Sequence, residues 1–70
     1  MSQITLGKYQ HYKGSHVNVL CVARHSETLE ELVVYQHLDD LNWWVRPLKM
    51  FLENVEVDGK LVPRFKLVEN

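Results

Sequence analysis

The segment VEVDGKLV at residues 55–62 carries the clearest fold signal in this sequence. Apolar and polar residues alternate around Asp58-Gly59, a dipeptide that suits a two-residue turn with positive φ at both central positions. The segment therefore predicts a tight antiparallel hairpin. Pro63 follows and has no backbone N–H to donate, so we expect this strand at a sheet edge or a bulge as it continues into residues 64–68.

A second hairpin is predicted upstream of this segment. Residues 9–12 and 16–23 are strand-like, and a glycine-containing turn at residues 13–15 separates them. Side chains alternate along a strand, so one face of the second strand is expected to be buried. That face carries Val17, Val19, Cys21 and Ala23. Cys21 is accordingly expected to be a small core residue and not a nucleophile.

The polar stretch at residues 24–31 has two interpretations. Thr28 followed by Glu31 matches a helix capping box, which favours a helix after it. Residues 32–35 are instead β-branched or aromatic for the most part, and such side chains pack well on a pleated surface. We therefore expect a loop or single turn, followed by a strand over residues 32–38.

A turn, a strand and a short helix are predicted between residue 39 and the closing hairpin. Short polar side chains at residues 39–42 favour a turn, which returns the chain into a strand over residues 43–46. Proline is well placed at a first helical position, so a helix is predicted over residues 47–53. The side chains expected to face inward are Leu48, Phe51 and Leu52.

Several short antiparallel strands and one short helix predict a mainly β domain. The expected form is a small antiparallel barrel or rolled sheet, similar to an SH3-like barrel, with one short helix near residues 47–53. A chain of 70 residues can hold only one domain. We place it at residues 1–70, with a core over about residues 7–68.

Composition limits the classes of partner and the compartment. The chain is 46% hydrophobic and 24% charged, which is typical of a globular domain. Its net charge of -1 disfavours generic nucleic-acid binding but leaves room for a small anionic ligand. A single cysteine allows no intrachain disulfide, which favours a reducing compartment. Residues 1–5 show no signal-peptide pattern, and no apolar run approaches the ~20 residues of a membrane span. We therefore expect a cytoplasmic protein without a membrane anchor.

Three ordered segments resemble a widespread family of short bacterial proteins of unknown function. They are GKYQHYKG at residues 7–14, ARHSETLEELVVY at residues 23–35 and WVRPLKMF at residues 44–51. The resemblance runs from Gly7 to about Phe65, nearly the whole chain. It implies a stand-alone bacterial domain and implies no established activity.

Catalytic and metal-binding patterns are weak in this sequence. The run His25-Ser26-Glu27 has the residue types of a hydrolytic triad, but consecutive side chains point in different directions and cannot form a relay among themselves. Ser26 or Thr28 is expected to cap a turn instead, with Glu27 solvated. The four histidines, at positions 11, 16, 25 and 37, lack the close spacing of metal ligands. We predict no metal site and no cofactor.

Five residues form the candidate ligand-binding site: Arg24, His25, Tyr35, Trp44 and Arg46. Both arginines are expected at strand ends, where small barrels open. An inward Val45 would place Trp44 and Arg46 together on the opposite strand face, with a stacking group beside a fixed cation. The competing interpretation is that one tryptophan fills the interior, with Trp44 the favoured candidate, and that the arginine stems cover apolar surface.

Three functions remain open from the sequence alone. The leading hypothesis is a non-enzymatic binding module for a peptide, a nucleotide-like molecule or another small anionic ligand. A small hydrolase or transferase is the alternative, with acid-base groups drawn from His25, Glu27, His11 and Tyr35. A homo-oligomeric adaptor with Trp43 as an exposed anchor is the third.

Overall fold

The computed structural model describes residues 4–68. The elements are β1 (Gly7–His11), β2 (His16–Arg24), β3 (Glu31–His37), β4 (Trp43–Pro47), α1 (Leu48–Phe51), β5 (Asn54–Val57), β6 (Lys60–Pro63) and β7 (Phe65–Leu67). The predicted domain limits at residues 1 and 70, and the first three residues of the segment assessed as a signal peptide, lie outside the described range. None of the described helices is long and apolar enough to cross a membrane.

The strands form one antiparallel five-stranded sheet and one separate hairpin. The order in the large sheet is β4-β3-β2-β1-β7, and β5 pairs with β6. The mainly β prediction with one short helix is confirmed. The closed-barrel form of that prediction is not observed, because β4 and β7 are sheet edges that pair with no further strand within residues 4–68. The chain leaves β4 directly into α1.

Both predicted hairpins are present. Asp58 and Gly59 have φ values of 52° and 80°, so both central positions of the β5–β6 turn are left-handed, as the Asp-Gly pair predicts. Strands β1 and β2 pair through the turn that contains Gly14. The strand expected at residues 32–38 is observed as β3, and the helical alternative from the capping box is wrong.

Strand β2 changes faces at a β-bulge, which overturns the predicted burial of Cys21. Val19 pairs with Tyr35 but Cys21 pairs with Val34, so one extra residue lies between the two pairs. Beyond the bulge the alternation is reversed, and Val22 packs against the core while Cys21 is exposed. Ala23 is exposed for the same reason. Alternation alone does not reveal a bulge, because it assumes an uninterrupted strand.

The core is an aromatic and valine cluster on one face of the large sheet, here called the inner face. Its buried members are Tyr9, Val17, Val19, Val33, Tyr35, Phe51 and Phe65. Helix α1 covers this face through Phe51, which stacks on Phe65 with ring centroids 4.2 Å apart. The helix is shorter than predicted, and Leu52 is exposed instead of inward. The reason is that the helix ends at Phe51, and Leu52 follows as its C-terminal cap.

Candidate functional site

Arg24 is the last residue of β2 and His25 begins the loop to β3, and both side chains form hydrogen bonds within that loop. The Nη1 atom of Arg24 donates to the carbonyl oxygen of Leu29 at 3.3 Å. The Nδ1 atom of His25 accepts hydrogen bonds from the backbone N–H groups of Glu27 at 3.1 Å and Thr28 at 3.3 Å. The histidine therefore takes the capping role expected of a serine or threonine, and the His-Ser-Glu run does not form a relay.

The same loop has one more side-chain cap and one left-handed residue. The Oγ1 atom of Thr28 accepts a hydrogen bond from the N–H of Glu30 at 3.2 Å, which confirms a turn-capping threonine. Leu29 adopts a φ of 64°, an unfavourable conformation for a side chain with a Cβ. Beside this loop is a cavity of about 290 Å³, lined in part by Arg24, Leu48 and Lys49.

Tyr35, Trp44 and Arg46 lie together on the inner face. Tyr35 is 4% exposed and belongs to the core. Trp44 pairs with Tyr35 across β3–β4, and Arg46 pairs with Val33. Because cross-strand partners share a face, Trp44 and Arg46 point to the inner side. Val45 faces the opposite way and is 58% exposed, so the predicted inward Val45 is wrong, although Trp44 and Arg46 do share one face.

Neither tryptophan fills the interior. Trp44 is 50% exposed and Trp43 is 64% exposed. The interior positions that a tryptophan was expected to occupy are taken by Phe51, Phe65 and two tyrosines. Trp44 sits at the open edge of the sheet, where its ring contacts His37 edge-on at 5.9 Å between centroids. A half-exposed indole in this position offers a free face for stacking.

Arg46 is held over an aromatic ring and keeps one polar atom without a partner. Its Cζ atom lies 5.9 Å from the centroid of Phe65, within the range of a cation–π contact. Its Nε atom is buried and has no hydrogen-bond partner within the described part of the chain. A buried donor on a charged group costs free energy unless it is satisfied, so this atom is a site where an acceptor would be favourable.

His11 contacts the same aromatic ring. Its ring centroid is 4.9 Å from that of Phe65 in an edge-on contact, and its Nδ1 atom accepts a hydrogen bond from the N–H of Lys13 at 3.1 Å. Burial lowers the pKa of His11, and charge interactions with Arg46, Arg64, Lys13 and His37 lower that pKa further. His11 therefore lies within electrostatic reach of three basic side chains and a second histidine.

Few carboxylates balance that charge. Arg64 forms an ion pair with Glu53 at 3.0 Å, and its Nε atom donates to the carbonyl oxygen of Met50. His37 Nδ1 lies 3.8 Å from Asp39 Oδ1. Within residues 4–68, Arg46 forms no ion pair with a carboxylate. We use the name Arg46 cluster for the group formed by His11, His37, Trp44, Arg46 and Phe65.

The turn after β3 brings three possible metal ligands together. Ligand atoms of His37, Asp39 and Asp40 lie within 4.8 Å of one another. The two aspartates already serve the turn, because Asp39 Oδ1 accepts from the N–H of Asp40 and Asp40 Oδ1 accepts from the N–H of Asn42. These bonds give the predicted polar turn its structure.

Another cavity, of about 370 Å³, lies between β1 and the β5–β6 hairpin. Its lining is Gln10, His11, Tyr12, Val57, Val62, Pro63 and Lys66. It shares only His11 with the Arg46 cluster, and most of its other lining is apolar.

Sequence reasoning found Arg46 and Trp44 but missed three members of the cluster. His11 pairs with Phe65 across β1–β7, and Val17 pairs with His37 across β2–β3. The first pairing joins the two ends of the chain, and no local pattern predicts it. A usable signal existed for His37, since it follows Tyr35 at a two-residue interval on a predicted strand and therefore shares its face.

Comparisons with known proteins identify relatives of this fold. The family described as "Protein of unknown function (DUF1653)" matches residues 7–67. A crystal structure of a DUF1653 protein from Bordetella bronchiseptica is similar, with 38% sequence identity and a TM-score of 0.86. The similarity covers 94% of this chain and 88% of that one. No curated protein matches the chain. The matched family spans every described strand and the Arg46 cluster, and the chain therefore belongs to the DUF1653 family.

Proposed function

We propose that this domain is a non-enzymatic binding module for a small anionic ligand, whose acidic group is held at the Arg46 cluster. The observation that carries the proposal is the buried Nε atom of Arg46, which has no hydrogen-bond partner within the described residues. An anionic oxygen bound there would satisfy a donor that the domain itself leaves unpaired.

Local charge supports an anion over a neutral ligand. Within residues 4–68, Arg64 and His37 each pair with a carboxylate, while Arg46 and Lys13 pair with none. An anion bound between Arg46 and His11 would relieve the mutual repulsion of these cations. Arg46 is also partly preoriented, because its guanidinium lies over Phe65 and loses less freedom on binding than a fully exposed arginine.

Trp44 supports a ligand that carries a planar ring as well as a charge. Trp44 and Arg46 are two residues apart on one strand face, a separation of about 7 Å along an extended chain. Trp44 keeps half of its surface exposed, so a ring attached to the bound acidic group can stack on it. This combination is typical of nucleotide-like ligands, which we favour over a peptide.

The remaining predicted site residues take supporting roles in this proposal. Tyr35 contacts both Phe65 and His37, with centroids 5.7 Å and 5.9 Å away, and so supports the cluster from the core. Arg24 and His25 shape the β2–β3 loop and do not contact the ligand. The exposed free thiol of Cys21 is consistent with a cytoplasmic location, and the Bordetella relative is consistent with a bacterial one.

Isothermal titration with adenosine monophosphate and with inorganic phosphate tests the proposal. We expect both to bind the wild-type domain, with the nucleotide tighter because its ring adds stacking on Trp44. Arg46→Gln should weaken both ligands at least tenfold, consistent with the loss of a charge-assisted contact. Lys49→Gln removes an exposed cation on α1 and is the matched control, with affinity within about twofold of wild type.

Two results would contradict the proposal. The first is equal loss of affinity in Arg46→Gln and Lys49→Gln, which would indicate nonspecific charge attraction. The second is no binding of either probe at millimolar concentration by a folded wild-type domain. Binding of phosphate and nucleotide with equal affinity would retain the anion site and remove the stacking role of Trp44.

A further inference from the structure

Strand β4 is a sheet edge whose protection against pairing is confined to its last two residues. It lies at the end of the five-stranded sheet, and its first three residues, Trp43, Trp44 and Val45, are all exposed and uncharged. Proteins commonly protect edge strands with charged side chains, proline, bulges or very short length. The opposite edge, β7, is three residues long and has Lys66 at its centre. In β4 such devices are present only at Arg46 and Pro47.

The backbone of β4 presents hydrogen-bonding groups at this edge that pair with no strand within residues 4–68. In an antiparallel pair, hydrogen-bonded and non-hydrogen-bonded positions alternate. His37 donates its N–H to the carbonyl oxygen of Asn42 at 2.9 Å, so the pairs at two-residue intervals, Tyr35 with Trp44 and Val33 with Arg46, are the hydrogen-bonded ones. Pro47 has no N–H, which fits its place at a position that is not bonded to β3. The backbone groups of Trp43, Val45 and Pro47 therefore point outward from the sheet.

We propose that β4 pairs antiparallel with β4 of a second copy of this chain, across a two-fold axis at Val45. In this register the N–H of each Val45 donates to the carbonyl oxygen of the other, and the N–H of each Trp43 donates to the carbonyl oxygen of Pro47 in the second copy. Only the carbonyl of Trp43 lacks a partner, since it faces a proline. The two sheets join into one ten-stranded sheet.

Side chains across this axis are complementary. Residues 44 and 46 face each other on the inner side, so each Trp44 stands opposite Arg46 of the second copy, an arrangement suited to a cation–π contact. On the outer side Val45 meets Val45, and Trp43 meets Pro47. Arg46 is the only charged residue of β4, and the pairing never places it opposite another cation. This complementarity favours a second copy over an unrelated strand.

The dimer contacts need no ligand, and they use Trp44 and Arg46, which also belong to the proposed anion site. Sedimentation velocity without ligand, over a range of protein concentrations, is the direct test. The wild type should show a concentration-dependent species of twice the 8.3 kDa monomer mass. Val45→Pro removes an outward N–H without touching the β3 ladder, so it should stay folded and raise the dimer dissociation constant at least tenfold.

A charge pair at position 45 tests the register and does not depend on the proline variant folding. Val45→Glu and Val45→Lys each place like charges opposite one another at the axis, so each should be monomeric alone. Mixing the two should restore a dimer, because opposite charges then face each other. A wild-type monomer at millimolar concentration overturns the proposal. So does an equimolar mixture of these variants that stays monomeric.

Discussion

Two parts of this domain each combine an arginine with a histidine, and they use these side chains differently. At the end of β2 and in the loop that follows, Arg24 donates to a backbone carbonyl and His25 accepts two backbone N–H groups. In the Arg46 cluster, the Nε atom of Arg46 has no partner in residues 4–68, and basic side chains contribute to the lowered pKa of His11. The comparison indicates that Arg24 and His25 maintain the shape of the loop, while Arg46 keeps a donor that no described residue uses.

Helix α1 lies beside both parts, and replacement of its buried residue Phe51 should give the largest effect on stability. Phe51 is 1% exposed and contacts Tyr9, Tyr35 and Phe65. Phe51→Ala should lower the free energy of unfolding by about 3–5 kcal/mol, as expected for a buried phenylalanine replaced by alanine. Leu52→Ala, next in sequence but exposed, is the control and should change it by less than about 0.5 kcal/mol. Urea denaturation measures both, and similar values for the two variants would contradict the core assignment.

Replacement of His25 should affect stability more than its partly exposed loop position suggests. His25→Ala leaves two backbone N–H groups without their acceptor and should cost about 1 kcal/mol, similar to the loss of a helix cap. His25→Asn retains an acceptor at a similar position and should recover more than half of that loss. Thermal denaturation followed by circular dichroism provides the measurement. If the asparagine variant is as unstable as the alanine variant, the capping role is wrong.

Replacement of His11 should give a smaller effect on stability, and that effect should depend on pH. Its pKa lies below the ordinary value of about 6.5, first because of burial and then because of nearby cations. The unfolded chain therefore binds more protons at His11 than the folded domain does. The free energy of unfolding should rise as pH increases from the lowered pKa of the folded state to the ordinary pKa of the unfolded state. His11→Asn keeps an acceptor for Lys13 and should flatten part of the rise in melting temperature between about pH 5 and 8. An unchanged pH profile would show that the cluster places no excess charge on His11.

Replacement of Leu29, the left-handed residue of the β2–β3 loop, should give the smallest effect on stability. Leucine at a φ of 64° costs roughly 1–2 kcal/mol, and glycine avoids this cost but loses roughly 0.5–1 kcal/mol in chain entropy. Leu29→Gly should therefore stabilise the domain by a few tenths of a kcal/mol. Leu38→Gly, at another exposed leucine without a positive φ, should destabilise it instead. Equal effects in differential scanning calorimetry would rule out the backbone explanation.

Local sequence signals predicted the elements better than their assembly. The Asp58-Gly59 turn, the polar turn after β3 and the strand at residues 31–37 follow from turn chemistry and β-branched content. The alternation in β4 also predicted that Trp44 and Arg46 share a face. Local patterns of this kind depend on neighbouring residues, and a single sequence contains them.

Two features depended on distant pairing and were missed. The bulge in β2 exposes Cys21 and turns Val22 toward the core in its place, because the register with β3 shifts after Val19. The pairing of β1 with β7 brings His11 beside Phe65 and so supplies two of the five residues of the Arg46 cluster. Both arise from contacts between separate strands, and periodicity within one strand carries no information about them.

The availability of Arg46 to an anion is the central claim of the proposed function, and the Nε–H resonances of Arg46 and Arg24 test it most directly. Sulfate is a suitable probe, since its charge does not change near neutral pH. Titration of ¹⁵N-labelled wild-type domain should shift the Nε–H signal of Arg46 in a saturable way, with coupled changes at His11 and the Trp44 indole. The Nε–H signal of Arg24 should remain unchanged. Saturable shifts at Arg24 with none at Arg46, or equal unsaturated drift at both, would contradict the account.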